Sequence, residues 1–363
     1  MKIINHSIKF EVAKYILYTV VFVLISYRSY AVSGKPLVYI VATGGTIAGV
    51  AASKTSTIYK AGSLGVEQFL QSVPELTDEA NIKFVQLFNK DSGDLTIKDW
   101  LMLSQEVNKL LKDPSVAGVV VTHGTDTMDA TAYFLDLTVK SKKPVVLVGA
   151  MRPATSLSAD GPMNLYNAVA VAADKASVGR GVMVCMNDGI FDARDVSKFN
   201  TNTVDAFKSL ATGPIGLVIM GDPKYYSIPM RKNTTATPFN VLNKTSLPEV
   251  AIVYEYVGID TKELLRMIQD AEIKGIVIAG VGNGNIPDYQ AEFIKTAIKR
   301  GIVVVRSSRV PSGYETDNYN NLDTTYGTIA ADDLNPQKAR ILLMLSLTIT
   351  SDPKKIEQYF KTY

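Results

Sequence analysis

The stretch Leu37-Val38-Tyr39-Ile40-Val41-Ala42-Thr43, closed by Gly44-Gly45-Thr46-Ile47-Ala48-Gly49, sets the expectation for the fold. Short runs rich in β-branched residues recur at 82–88, 117–122, 144–149 and 181–186. Between them lie amphipathic stretches. Trp100, Leu103, Val107 and Leu110 fall at helical spacing behind the capping-box-like Thr96-Ile97-Lys98-Asp99, and Met128, Ala132, Leu135 and Val139 repeat that spacing. Strand-like runs alternating with helical ones predict βαβ units, hence a mostly parallel, doubly wound sheet covered on both faces. From 211 to 248 the pattern loosens around Pro214, Pro223, Pro229, Pro238 and Pro248, which predicts an irregular linker. The alternation then resumes, with strands expected at 250–254, 275–280 and 302–306. Helices are expected near 262–270 and 289–299, and a last one from about 336. The organisation is therefore α/β: a larger N-terminal domain over 32–210, the linker, and a smaller C-terminal α/β domain over 249–363.

Residues 1–31 read differently. Lys2, Lys9 and Lys14 precede an apolar run from Tyr15 to Ile25, and Ser29-Tyr30-Ala31 offers small residues where a signal peptidase cuts. This predicts a signal peptide cleaved near Ala31 and a periplasmic or secreted protein with no membrane association afterwards; an uncleaved anchor is the competing reading. Cleavage removes four of 38 basic residues and one of 35 acidic ones, so the net charge of +3 comes from the leader. With 47% apolar and 20% charged residues and no charge block, neither disorder nor a nucleic-acid surface is indicated, and the expected ligand is a small molecule. A single cysteine, Cys185, excludes an intrachain disulfide and, within an apolar run, is expected to be packing rather than a nucleophile.

In doubly wound sheets ligands bind beyond the carboxyl ends of the strands. Those loops are rich in hydroxyls here. The double glycine after the first run permits a tight turn that leaves Thr46 exposed as a potential nucleophile; a phosphate cradle or plain turn is the alternative, weakened by the absence of a Gly-Lys-Ser/Thr ending or G-x-G-x-x-G spacing. After the third run comes Thr122-His123-Gly124-Thr125-Asp126-Thr127, where Asp126 by itself suits a plain helix start. A hydroxyl nucleophile needs a proton acceptor, and His6 and His123 are the only histidines, the first in the leader and the second placed as a packed turn residue. Two histidines and a lone cysteine without an H-E-x-x-H pattern do not build a zinc site. A lysine or a water remains as the acceptor.

The segments 41–49 and 122–128 resemble the two signatures of bacterial type II L-asparaginases. Gly149-Ala150-Met151-Arg152-Pro153, Ser158-Ala159-Asp160-Gly161-Pro162, Gly280-Val281-Gly282-Asn283-Gly284-Asn285, Arg306-Ser307-Ser308-Arg309-Val310-Pro311 and Leu334-Asn335-Pro336-Gln337-Lys338-Ala339 resemble that family in order. The resemblance implies a homotetramer of two-domain subunits with active sites between neighbours, and no metal or organic cofactor. It implies Thr46 as nucleophile, Tyr59 as its activating partner, and Thr125, Lys198 and Asp126 as a hydroxyl-lysine-carboxylate group. Ser92, Thr125 and Asp126 would hold the substrate's α-carboxylate and α-ammonium ends, flanked by Gly45, Gly93 and Gly124. The Ala150 carbonyl would accept from the reacting amide, and Asn285 would come from the neighbouring subunit. Without the resemblance, Lys198 in a polar stretch reads as a solvated charge.

Two positions depart from the family pattern: Gly93 stands where glutamine or glutamate is usual, and Asn320 where a neighbour's glutamate usually approaches the α-amino group. Hydrolysis of L-asparagine is the expected activity. The alternatives are a glutaminase-asparaginase with comparable L-glutamine turnover and, in another class, a periplasmic amino-acid-binding protein.

Overall fold

Apolar runs that must be covered on both sides form the middle of a parallel sheet, because the crossover helices supply both covers. The computed structural model describes residues 34–51, 53, 54, 59, 60, 71 and 73–363; the expected signal segment 1–31 lies outside them. In chain order the N-terminal part contains β1 (Leu37–Gly44), β2 (Val50–Ala51), β3 (Tyr59–Lys60), α1 (Leu76–Glu79), β4 (Asn81–Lys90), α2 (Ile97–Leu111), β5 (Val116–Thr122), α3 (Met128–Thr138), β6 (Val145–Val148) and α4 (Gly161–Ala173). It continues with β7 (Val182–Met186), β8 (Gly189–Asp192), β9 (Ser197–Lys198), β10 (Phe207–Lys208), β11 (Gly216–Ile219) and β12 (Asp222–Tyr225). Eight strands form one sheet in the order β12-β11-β8-β7-β6-β5-β1-β4. β4, β1, β5, β6 and β7 are parallel, and the pairs β7-β8, β8-β11 and β11-β12 are antiparallel.

Side chains alternate between the faces as a strand's period of two requires. Val119, Val121, Val145, Leu147, Val182 and Val184 join the core that contains α2 and α3. Val120, Val146, Val148, Met183 and Cys185 join the core that contains α4. Cys185 is fully buried and burial pushes its thiol pKa far up, as expected of a packing residue. The capping box at Thr96 forms as expected, with Thr96 Oγ1 accepting from the Asp99 N–H and Asp99 Oδ2 accepting from the Thr96 N–H.

The C-terminal part contains β13 (Glu249–Tyr254), α5 (Thr261–Met267), β14 (Ile273–Gly280), α6 (Ala291–Lys299), β15 (Val303–Ser308), α7 (Leu322–Tyr326), β16 (Ile329–Ala330), α8 (Pro336–Leu347) and α9 (Pro353–Thr362). Its four strands are parallel in sequential order. Helix α8 is buried nearly all round, and its apolar residues share one core with α3 and with Val250, Val277 and Val305 of the small sheet.

Two expectations need correction, and one helix goes beyond them. The span 211–248 is not irregular throughout, because 216–225 form the β11-β12 hairpin that extends the large sheet. Pro223 lies on edge strand β12, where a sheet tolerates proline, so it did not mark a break. The last helix is two helices, α8 and α9, the second started by Asp352 accepting from the Lys354 N–H and by Pro353. Helix α4 was not anticipated: it is buried on most sides, so it carries little amphipathic signal.

In the C-terminal part, Arg306 of β15 is fully buried. Its Nε and Nη2 donate to the two carboxylate oxygens of Asp323, each at 2.7 Å, while the guanidinium also reaches the carbonyls of Asn283 (3.3 Å), Gly284 (3.4 Å) and Thr316 (3.2 Å). Burial alone would raise the Asp323 pKa, but the hydrogen bonds from Arg306 and Thr328 outweigh it and hold the carboxyl below its ordinary range. Asp323→Asn leaves the guanidinium buried without its counter-charge, and urea unfolding near neutral pH should show a loss of about 3–5 kcal/mol. A depressed folded-state pKa contributes stability above the unfolded value and loses it as pH falls, so the gap between the two proteins should narrow below pH 3.8.

Candidate active site

From the neighbouring strands β1 and β5 the chain runs on to β4 on one side and to β6 on the other, so the connections leave in opposite directions and open a crevice outside the carboxyl ends of β1 and β5. Three loops meet there. Thr43 Oγ1 donates to the Thr122 carbonyl at 2.7 Å, tying the end of β1 to the end of β5. Gly44 (φ 112°) and Gly45 (φ 85°) then turn the chain, and a Cβ at Gly45 would stand 2.4 Å from the Gly124 nitrogen. A Cβ at Gly124 would stand 2.5 Å from Ser92 Oγ, so the loop after β4 completes the stack. The turn delivers Thr46 into a single 3-10 turn (Thr46–Ala48), where it is largely buried.

Thr125 and Asp126 occupy the 3-10 turn Thr125–Thr127 that leads into α3. Lys198 arrives on β9, where it pairs with Phe207 of β10. Its Nζ lies 2.9 Å from Thr125 Oγ1 and 2.5 Å from Asp126 Oδ1. The lysine side chain is 16% exposed and the aspartate 65%, so the ammonium is largely enclosed while the carboxylate faces the opening.

Thr46, Thr125, Asp126, Ala150 and Lys198 line one open cleft of about 790 Å³, together with Lys54, Arg152, Thr201 and Asn202. Ala150 is placed by Asp160, whose carboxylate accepts from the backbone N–H groups of Met151 and Arg152, each at 2.9 Å. His123 is not part of this surface. It is fully buried, its Nδ1 lies 2.6 Å from the Gly124 carbonyl, and burial pushes its pKa down to about 4 against the effect of that hydrogen bond. The ring is thus neutral near pH 7, consistent with a packed turn residue.

Other expected site residues do not line the cleft. Ser92 is buried beneath Gly124, and Gly93 follows it in the turn Ser92–Asp94 with its N–H donated to Asp91. Tyr59 is described in its backbone alone, within β3 paired to β2; its side chain lies outside the described residues. Asn285 closes a tight bridge with Val281, and Asn320 is exposed in the turn Tyr319–Asn321 with φ 50°. Both belong to the C-terminal part, and neither is among the described lining of this cleft.

Residues 37–231 match the family described as Asparaginase, N-terminal, and residues 249–360 match the Glutaminase/Asparaginase C-terminal domain. The chain belongs to the asparaginase family. L-asparaginase 2 of Escherichia coli (strain K12) is 51% identical over 90% of this chain and 93% of its own length. The protein named Probable L-asparaginase periplasmic of Haemophilus influenzae has the same identity and coverage. A crystal structure described as Probable Cytoplasmic L-asparaginase from Campylobacter jejuni superimposes with a TM-score of 0.87 at 46% identity, covering 91% of this chain and all of that one.

Within this asparaginase-family fold, sequence reasoning alone found the two threonine turns but missed the cleft's Lys54, Arg152, Thr201 and Asn202. Arg152 follows Gly149 just beyond β6, within a segment that the family resemblance covers; the other three follow no glycine turn, so no local signal marks them. The glycine contact is itself testable. Gly45→Ala imposes a side chain at φ 85°, ψ −179° and against a neighbouring backbone. If the protein folds, the displacement of Thr46 relative to Thr125 should lower kcat by about a hundredfold, measured beside thermal unfolding of the same sample.

Proposed function

We propose that this chain hydrolyses L-asparagine to L-aspartate and ammonia in the cleft between the β1 and β5 loops, without metal or organic cofactor. The observation that carries the proposal is Lys198 Nζ between the Thr125 hydroxyl and the Asp126 carboxylate, in a cleft that also opens on Thr46. Thr46 Oγ attacks the side-chain amide carbon, activated by Tyr59, and the tetrahedral adduct collapses with loss of the amide nitrogen. The threonine proton leaves on that nitrogen, giving ammonia and an aspartyl ester. Water, deprotonated toward Thr125 and Lys198, then attacks the ester and restores the Thr46 hydroxyl. Asp126 holds the α-ammonium end, the α-carboxylate end points toward Ser92 beneath Gly124, and the Ala150 carbonyl accepts from the amide.

One observation favours a second assignment of roles. Lys198 Nζ lies 2.9 Å from the Thr125 hydroxyl, so Thr125 would be the attacking group and Thr46 its assistant. Ammonia release by Thr46→Ala and Lys198→Met tests the first assignment: each should lower kcat by about 10²–10⁴-fold with little change in unfolding temperature. An acyl group trapped on Thr125 would reverse the roles. Saturable binding of asparagine without ammonia release in the natural protein would instead favour an amino-acid-binding protein.

The proposal extends to assembly and location. Asn285 and Asn320, which are not among the described lining of their own cleft, would serve a neighbour's cleft in a homotetramer, so sedimentation should find no fully active monomer. Residues 1–31 would direct export to the periplasm or beyond, and the mass of the mature protein should place its start after Ala31.

Selectivity follows from Gly93. A Cβ there would meet only Asp91 Oδ1, at 3.4 Å, so the position accepts a side chain without rearrangement. Lacking a polar group at 93 and a carboxylate at 320, the site should hold asparagine better than glutamine, whose longer chain makes its α-end harder to hold while its amide reaches Thr46. Loss of one charge-assisted hydrogen bond is worth about 1.5–3 kcal/mol, or roughly ten- to a hundredfold in binding. Parallel kcat/KM measurements should therefore favour asparagine, with Gly93→Gln raising glutamine turnover; equal values for the natural enzyme would support a glutaminase-asparaginase.

A further inference from the structure

Helix α8 packs on the small C-terminal sheet, yet its first turn reaches the segment that delivers Lys198. Lys338, only 1% exposed, donates from Nζ to the carbonyls of Ala193 at 3.0 Å, Arg194 at 2.7 Å and Val196. Asn335 begins α8, its Oδ1 accepting from the Lys338 N–H at 3.0 Å while its Nδ2 donates to Ser197 Oγ at 3.1 Å. On the other flank, Asp129 of α3 accepts the Lys198 N–H at 3.4 Å. The segment from 193 to 196 lies between β8 and the two-residue β9 and has no regular structure of its own.

An ammonium can make three hydrogen bonds, and Lys338 directs all three to a four-residue stretch ending two positions before Lys198. Removing a cation from water is costly, and a buried cation adds little net stability over an apolar side chain of similar size. What it supplies is geometry: three carbonyls must converge on one nitrogen. A shift of about 1 Å at a reacting group is enough to cost two orders of magnitude in rate.

We propose that the first turn of α8, through Lys338 and Asn335, positions Lys198 against Thr125 and Asp126, so that the C-terminal domain of the same chain sets the catalytic lysine's placement. Lys338 and Asn335 are positioning residues, since neither lines the cleft, and the proposal rests on Lys198 being the proton acceptor.

The test is a double-mutant cycle on the full mature protein. Lys338→Met should lower kcat for asparagine by about 10- to 100-fold with KM changed less than threefold. In a Lys198→Met background the same change should cost nothing further, because both act through one amine. Unchanged kcat in folded Lys338→Met would overturn the proposal, as would a full additional loss in the double variant, which marks a general structural role. If Lys198→Met retains full activity, the proton-acceptor reading fails and takes this proposal with it, an outcome separable because it appears in the single variant. Should Lys338→Met not fold, Ser197→Ala removes the acceptor for Asn335 alone. A two- to tenfold fall in kcat that vanishes in the Lys198→Met background supports the proposal, and no change overturns it.

Discussion

Backbone contact between Gly45 and Gly124 is the constraint on which the site depends. Doubly wound topology guarantees a crevice where the connections diverge, but it does not set the crevice's width. Here the β1 and β5 loops approach until no side chain fits between them, with the Thr43 hydroxyl tying the strand ends and Ser92 filling the space behind. Two threonines in the turns that follow different strands thereby face one cleft. Glycine is required because the turn needs φ near +85° and because the neighbour is backbone, which cannot rotate away.

Buried charge determines how the two sheets are joined. Arg194 pairs with Asp332 at 3.1 Å and Asp333 at 2.6 Å, and Lys338 reaches back to the carbonyls of Ala193, Arg194 and Val196. Both lie beside the segment leading into β9. Apolar packing between α3 and α8 supplies the attraction, and many small sliding motions would preserve it. Hydrogen-bonded ions tolerate no such sliding, because a displaced partner leaves a desolvated charge. Polar groups at this junction therefore specify one relative placement of the sheets, and with it the placement of Lys198.

The proton chemistry also follows from burial. His123 lies beside the cleft in sequence, but its full burial keeps the ring neutral and occupies one nitrogen with the Gly124 carbonyl. Lys198 meets the hydroxyl instead, with Asp126 as counter-charge at the cleft's mouth. A lysine paired this way keeps its charge balanced at the cleft instead of isolated in an apolar interior.

The sequence by itself determined the five parallel strands of the large sheet, the first three strands of the small one, the helices α2, α3, α5 and α6, the Thr96 capping box, and the two threonine turns with Asp126. Each leaves a local mark: an unbroken β-branched run, a 3.6-residue period, a cap three residues from its partner, or glycines where the backbone must turn. The family resemblance added Lys198, which no local pattern distinguishes from a solvated lysine. Only the tertiary structure decided that 216–225 extends the large sheet, because Pro223 reads as a break until its strand is seen at an edge. It alone decided that α4 is a helix buried on most sides, since burial all round erases amphipathic periodicity. It alone brought Lys198 to Thr125 across 73 positions and gave Lys338 three carbonyl partners more than 140 positions away. Contacts between residues so far apart have no period and no spacing, so a clamped lysine and a solvated one look alike until the chain is folded.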